Sequence, residues 1–384
     1  MNKNKRNGLK AKKQIFLYIF LICFCLSTAN SLAITTETLW SLSAFGEGSY
    51  FYQPSDIEAD LKQSLIYVAD SGNNCVFVFN FKGKFVKAIG RKGQGPGEFD
   101  RPTGLYVLAD SKLVVADFGN NRIQVFNDSG EFIRSIKPTK VRVADLIIID
   151  DKICTIPSFG MSGYSLDMGS KENTQPLVNI IDKDGNLLNE IGTKDFPANQ
   201  PFLRCINNRV CLTLSKDKKL FLPYFSKNLI QKFNLNGTKL AEFEISLPFK
   251  PIIPKVQQKT SKDGIIRMMA SMDMVTQDAE IGTDDHLYLL RFAQSYFQQG
   301  KKIENIEDRP PIAKQIDVIN TTSYKLIHTI ECDPGTRTFT LLGKNRLAYI
   351  YEDPEGELFL KCNRVLPEQK SLPENRSFIR LELN

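Results

Sequence analysis

The chain has 384 residues, of which 42% are apolar, and carries a formal charge of +7. That apolar fraction supports a sizeable core and excludes a disordered chain. Six Lys or Arg and no acid lie in residues 1–14, and without them the charge falls to about +1, so no general attraction to nucleic acid is implied.

Residues 1–33 read as a signal peptide. The basic start leads into an apolar run, Ile15 to Leu26, and Ser31 and Ala33 place small residues at −3 and −1 of a cleavage site. The run falls short of the ~20 apolar residues of a membrane span. Membrane attachment would come only through an uncleaved leader. We expect an exported protein, periplasmic, cell-surface or secreted, beginning near Ile34.

Residues 102–137 give four short runs of alternating apolar residues, with Asp117–Phe118–Gly119–Asn120–Asn121 and Asn127–Asp128–Ser129–Gly130 between them. Val, Ile and Phe at alternate positions suit a pleated half-buried surface, and Asn, Asp and Gly supply the bends. The unit repeats. Asp70–Ser71–Gly72–Asn73–Asn74 matches the segment from Asp117, 47 residues later, and Pro54 matches Pro102, 48 residues later. A period of about 45 with four strands per unit marks propeller blades, which bury both faces only when neighbours stack. At Gly93–Gln94–Gly95–Pro96–Gly97, Gly97–Glu98–Phe99 and Val115 to Phe126 the chain resembles the NHL-repeat family, strongly over residues 45–137 and in degraded form beyond. That resemblance implies a six-bladed β-propeller, a scaffold of binding proteins and, in related superfamilies, of some metal-dependent enzymes.

The expected fold is all-β, one six-bladed β-propeller over residues 34–384. Its antiparallel four-stranded blades fall at about 54–90, 102–137, 143–192, 205–247, 275–330 and 336–363. Residues 38–45, carrying Trp40, are expected to close the last blade and remove two open edges. The run Ser377 to Leu383 is the competing candidate.

In blades running a-b-c-d, the b–c and d–a connections share one face. The long inserts at 157–176, 248–271 and 292–314 all belong to it, as do the glycine loops at 46–49 and 90–98. Long loops on one face of a rigid scaffold are where binding usually resides. We therefore expect a non-catalytic, monomeric module that takes a protein, small molecule or saccharide there. The glycine run is expected to be a structural turn, since no strand-to-helix step or Lys–Ser/Thr follows to make a phosphate loop. Asp70, Asn73, Asn74, Asp117, Asn120 and Asn121 recur with the repeat and are expected to bond their own turns.

For catalysis the chain offers little. Two histidines, His286 and His328, are too few for a histidine-rich metal centre, and no GxSxG nucleophile motif is present. Asp56, Asp145 and Asp278 lie at the starts of inner strands in blades one, three and five. Three carboxylates on alternate blades could converge on calcium. The alternative function is therefore a calcium-dependent lactonase, esterase or lyase at the axial channel; locally bonded aspartates are the competing reading. No other cofactor has a motif. Six cysteines follow the leader, and Cys205 and Cys211 flank Asn207–Asn208–Arg209, where a three-residue hairpin loop would allow a disulfide.

Overall fold

The computed structural model describes residues 33–156, 176–193, 208–251, 273–295 and 314–366, with the backbone alone at 255–260 and 266–271. These residues form six blades built of strands, arranged as a β-propeller. Blade one runs Pro54–Asp60, Leu65–Asp70, Cys75–Asn80 and Phe85–Ile89, each strand antiparallel to the next. Blade two repeats it with Pro102–Val107, Leu113–Asp117, Arg122–Phe126 and Phe132–Ile136. Blade three has Asp145–Ile149 innermost and Leu187–Ile191 outermost, and blade four has Thr213–Leu214 and Lys239–Phe243 in those places. In blade five the order is Thr276–Ile281, His286–Phe292, Lys314–Asn320 and Leu326–Cys332.

The middle strands are apolar on both faces because each is sandwiched between neighbouring blades. Leu113–Asp117 and Val178–Ile181 are buried at every position. Outer strands alternate instead, as in Phe85–Ile89. Core clusters accordingly sit between blades rather than inside them. One joins Val114, Val125 and Ile136 of blade two to Leu146 and Ile153 of blade three.

Blade six is closed by the N-terminus. Thr36–Leu42 pairs antiparallel with Leu358–Val365, which pairs with Arg346–Glu352 and then Thr336–Leu341. The run from Leu39 to Phe45 is not one continuous strand. It ends at Leu42, and Ala44–Phe45 pairs back on Ser49–Tyr50. The cause is Phe45, whose ring turns inward against Phe51, Phe77 and Phe79 at 4.8–4.9 Å between centroids. One strand was not foreseen: Ala33–Ile34 lies parallel to Thr329–Ile330 as a fifth strand on blade five. The N-terminal segment thus ties blade five to blade six. The leader up to residue 32, the inserts at 157–175 and 296–313, and Ser377 to Leu383 lie outside the described residues. The insert at 248–271 contains an antiparallel hairpin, Lys255–Thr260 with Ile266–Ser271.

The recurring Asp–Asn turns are structural. Asp70 is fully buried, and its two oxygens accept from the amides of Tyr52, Gln53, Gly72 and Asn73 and from the Asn73 side chain, at 2.8–3.1 Å. Asp117 accepts the amide of Asp100 and the side chains of Asn120, Arg122 and Gln124. Arg122 does two things at once. Its Nε meets Asp117 at 2.7 Å, and its Nη atoms donate to the carbonyls of Gln94, Gly95 and Glu98. The glycine loop is therefore a turn held by one guanidinium, as expected. Blade one has Cys75 in place of Arg122, and there Asp70 is satisfied by amides instead. Replacing Arg122 with Ala should leave Asp117 buried without its cation and the Gln94 carbonyl without its donor, while the Gly95 and Glu98 carbonyls keep bonds from the Glu98 amide and from Gln124. We expect a loss of about 3 kcal/mol, measured by urea unfolding; a change under about 1 kcal/mol would overturn the assignment.

Candidate functional site

Two places could carry function: the axis and the loop-rich face. At the axis the inner strands of neighbouring blades approach one another. Side chains two apart on a strand share a face, so Asp56 and Glu58 in blade one point the same way, as do Asp278 and Glu280 in blade five. Asp145 stands alone in blade three, since Ile147 occupies the next equivalent position. The structure does bring Asp56, Asp145 and Asp278 within electrostatic reach, and it adds Glu58 and Glu280. The Asp-x-Glu spacing was the available signal for the two glutamates.

Burial pushes all five carboxyls up, and repulsion among them adds to it at Asp56, Glu58, Asp145 and Glu280. Asp56 rises well above the usual range by desolvation first, then by Asp145, Glu58 and Asp278. Glu58 does so by desolvation and then Glu280. Asp145 is pushed up to about 7 and Glu280 to about 8, desolvation leading in both. Asp278 is raised by desolvation too, with Thr338, two backbone amides and the positive charge of Arg209 opposing it.

Several of their oxygens bond protein donors. Asp56 Oδ2 accepts the Leu105 amide of blade two at 2.6 Å, and Oδ1 its neighbour Ile57. Asp278 Oδ2 accepts from Thr338 Oγ1 and the Phe339 amide of blade six, at 2.7 and 3.0 Å. Glu280 reaches the Leu341 amide at 2.9 Å. Asp145 accepts from the Leu146 amide. The residue before each position works similarly: Ser55 donates to the Pro102 carbonyl, Thr103 to Ala144 and Gln277 to Arg337. Asp56, Asp278 and Glu280 thus latch onto the next blade's inner strand, whereas Asp145 bonds within its own. Among the described residues no three His, Cys, Asp or Glu side chains stand close enough to hold a metal ion.

Cys211 leads into the inner strand of blade four through a backbone bond to Pro223, and its thiol is free. Burial pushes that thiol well up, with Asp278 adding to it. Cys205 lies outside the described residues. His286 pairs with Asp284 at 3.0 Å at the start of a blade-five strand.

The loop-rich face is built differently. Residues 50–53 enter blade one beside its b–c turn and are pinned to it. Asn73 Nδ2 donates to the Tyr50 carbonyl, the Tyr52 and Gln53 amides donate to Asp70, and Ser71 Oγ donates to the Gln53 carbonyl. On this fixed segment Tyr50 is 64% and Tyr52 61% exposed. The Tyr52 ring lies on Gly72, where a Cβ would collide with it. One ring face is therefore seated on backbone and the rest is open. Sequence reading missed this pair, because two tyrosines beside a glycine turn look like any strand start.

The fold and these two regions define a six-bladed propeller with an acid-latched axis and a loop-rich outer face. The chain belongs to the family described as a domain of unknown function, DUF4934, whose profile matches residues 56–308. No curated protein matches it in sequence. Among solved structures it is similar to a DUF4221-family member from Bacteroides vulgatus, with TM-score 0.56 and 10% identity over 88% of this chain and 99% of that one. A Bacteroides fragilis protein assigned as exported gives TM-score 0.51 and 11% identity over 88% and 97%. Virginiamycin B lyase from Staphylococcus aureus gives 0.46 and 13% over 85% and 99%. At such identities the likeness is one of fold.

Proposed function

We propose that this is an exported, non-catalytic NHL-type propeller that binds a saccharide on its loop-rich face. The observation that carries the reading is the pair Tyr50 and Tyr52, both more than 60% exposed on backbone that Asp70 and Asn73 immobilise. Tyrosine offers a flat apolar face and a polar tip at low conformational cost. Export is supported by the basic and apolar pattern of residues 1–26, and the Bacteroides fragilis neighbour is itself assigned as exported. Of the three aspartates considered for calcium, Asp56 and Asp278 bond the next blade and Asp145 bonds its neighbour's amide.

The test is a glycan array probed with the mature protein. The Tyr50→Ser/Tyr52→Ser double variant should keep its melting temperature within about 2 °C, since exposed positions contribute little, and lose at least about tenfold in retention, or 1.4 kcal/mol. Gly72→Ala, which displaces only the Tyr52 ring, should lose part of it. Retention unchanged in the double variant, or no glycan retained by the parent, would sink the saccharide reading.

A further inference from the structure

On the opposite, short-turn face a cleft of about 260 Å³ opens between blades two and three. Its floor is the apolar seam of those blades, with Val125 and Ile136 almost sealed and Ile133 standing 45% exposed at the edge. The volume lies just under the ~300–1,000 Å³ of drug-sized sites, so the occupant is small.

The charges at the rim decide its chemistry. Lys112 is already paired with Asp110 at 2.6 Å, and Asp150 with Lys218 at 2.7 Å. That leaves Arg134 and Lys183 against Asp151, a positive surplus at the mouth. Arg134 Nη1 donates to the Lys183 carbonyl at 2.9 Å, which ties the outer strand of blade two to a blade-three turn. The bond fixes a guanidinium over the apolar floor, with no acid partner for it among the described residues. A guanidinium so placed matches a carboxylate in the two-bond fork geometry.

We propose that this cleft binds a short aliphatic carboxylate, its chain against Ile133 and Ile136 and its carboxylate on Arg134. An aliphatic amine would meet two cations. A nucleotide would find no aromatic ring in the lining to stack on and a cavity too small for it.

Isothermal titration of the mature protein with octanoate, octylamine and butyrate tests this. Octanoate should bind saturably at one site, at least tenfold more tightly than either of the others. Arg134→Gln should weaken octanoate at least tenfold, and Arg134→Glu should do so further. Ile133→Asp should abolish binding, with the thermal melt reporting that the ring is intact. If that variant unfolds, Ile133→Ala replaces it and should weaken octanoate and not merely shift the melt. Equal binding of octanoate and octylamine would mean apolar adsorption and overturn the proposal. So would the absence of saturable binding, or octanoate affinity unchanged in Arg134→Gln.

Discussion

A chain beginning at Ser43 should lose its cooperative melt, or melt at least about 10 °C lower than the chain beginning at Ala33. The ten residues removed supply the outer strand of blade six and the parallel strand on blade five. Without them Leu358–Val365 becomes an unpaired edge of eight residues, the kind of edge that templates aggregation. Packing is lost as well. Leu39, Trp40 and Leu42 lean on the seam of blades one and six, beside Phe79, Ile350 and Leu360. Trp40 reaches furthest: its Nε1 donates to the Phe81 carbonyl at 3.0 Å, and its ring covers Gly83, where a Cβ would stand 2.8 Å from it. Full burial of a large side chain is worth about 1.5–3 kcal/mol; these three are half-buried, so together they supply a few kcal/mol of the roughly 5–15 kcal/mol that holds a typical domain folded. Trp40→Phe should cost only about 1 kcal/mol, mainly the hydrogen bond. Differential scanning calorimetry and gel filtration read both. A truncated chain that melts within about 2 °C of the parent would mean that the ring is closed by another segment.

The blades were legible because their turns are. Residues Asn80, Asn127, Asp182 and Asn234 each accept the amide of a glycine three positions on, at 2.9–3.1 Å, so the same turn marks blades that otherwise share little sequence. The closing strand could be read because Trp40 precedes a glycine loop as Ile89 does. Its fifth-strand prelude could not: two residues pairing in parallel leave no periodic trace. At the axis, Asp56, Asp145 and Asp278 were found by their place in the repeat. Their partners were invisible, since the cross-blade donors to Asp56 and Asp278 are chiefly backbone amides, and an amide has no residue type. Glu58 and Glu280 were missed although the two-residue spacing announces them. The tyrosine platform escaped because exposure is a property of the assembled ring.

Between pH 8 and pH 5.5 the protein should become more stable, with a rise in melting temperature of at least about 4 °C. The groups responsible are Asp56, Glu58, Asp145 and Glu280, whose carboxyls burial and mutual repulsion hold above their usual range, Asp145 at about 7 and Glu280 at about 8. The sign follows from proton linkage. Unfolded, these groups titrate near pH 4; folded, they keep their protons several units higher. Across that interval the folded state binds more protons than the unfolded one, so stability falls as pH rises through it. The penalty is absent below about pH 4 and grows as pH rises through about 7 at Asp145 and about 8 at Glu280. The backbone amides of Leu105, Leu146 and Leu341 oppose the effect by bonding the ionised form, but desolvation outweighs them. Arg209 opposes it at Asp278, and Cys211 stays a neutral thiol throughout. Asp56→Asn with Glu58→Gln and Glu280→Gln removes three of the charges while keeping side-chain shape. The triple variant should therefore melt higher than the parent at pH 8, match it more closely at pH 5.5, and show a flatter profile between. Added calcium should leave both profiles where they are, because among the described residues no three of these carboxyls stand close enough to hold an ion. A parent whose melt rises from pH 5.5 to pH 8 would show that the carboxylates are stabilised as anions, and a calcium-dependent shift lost in the triple variant would name the cation that stabilises them.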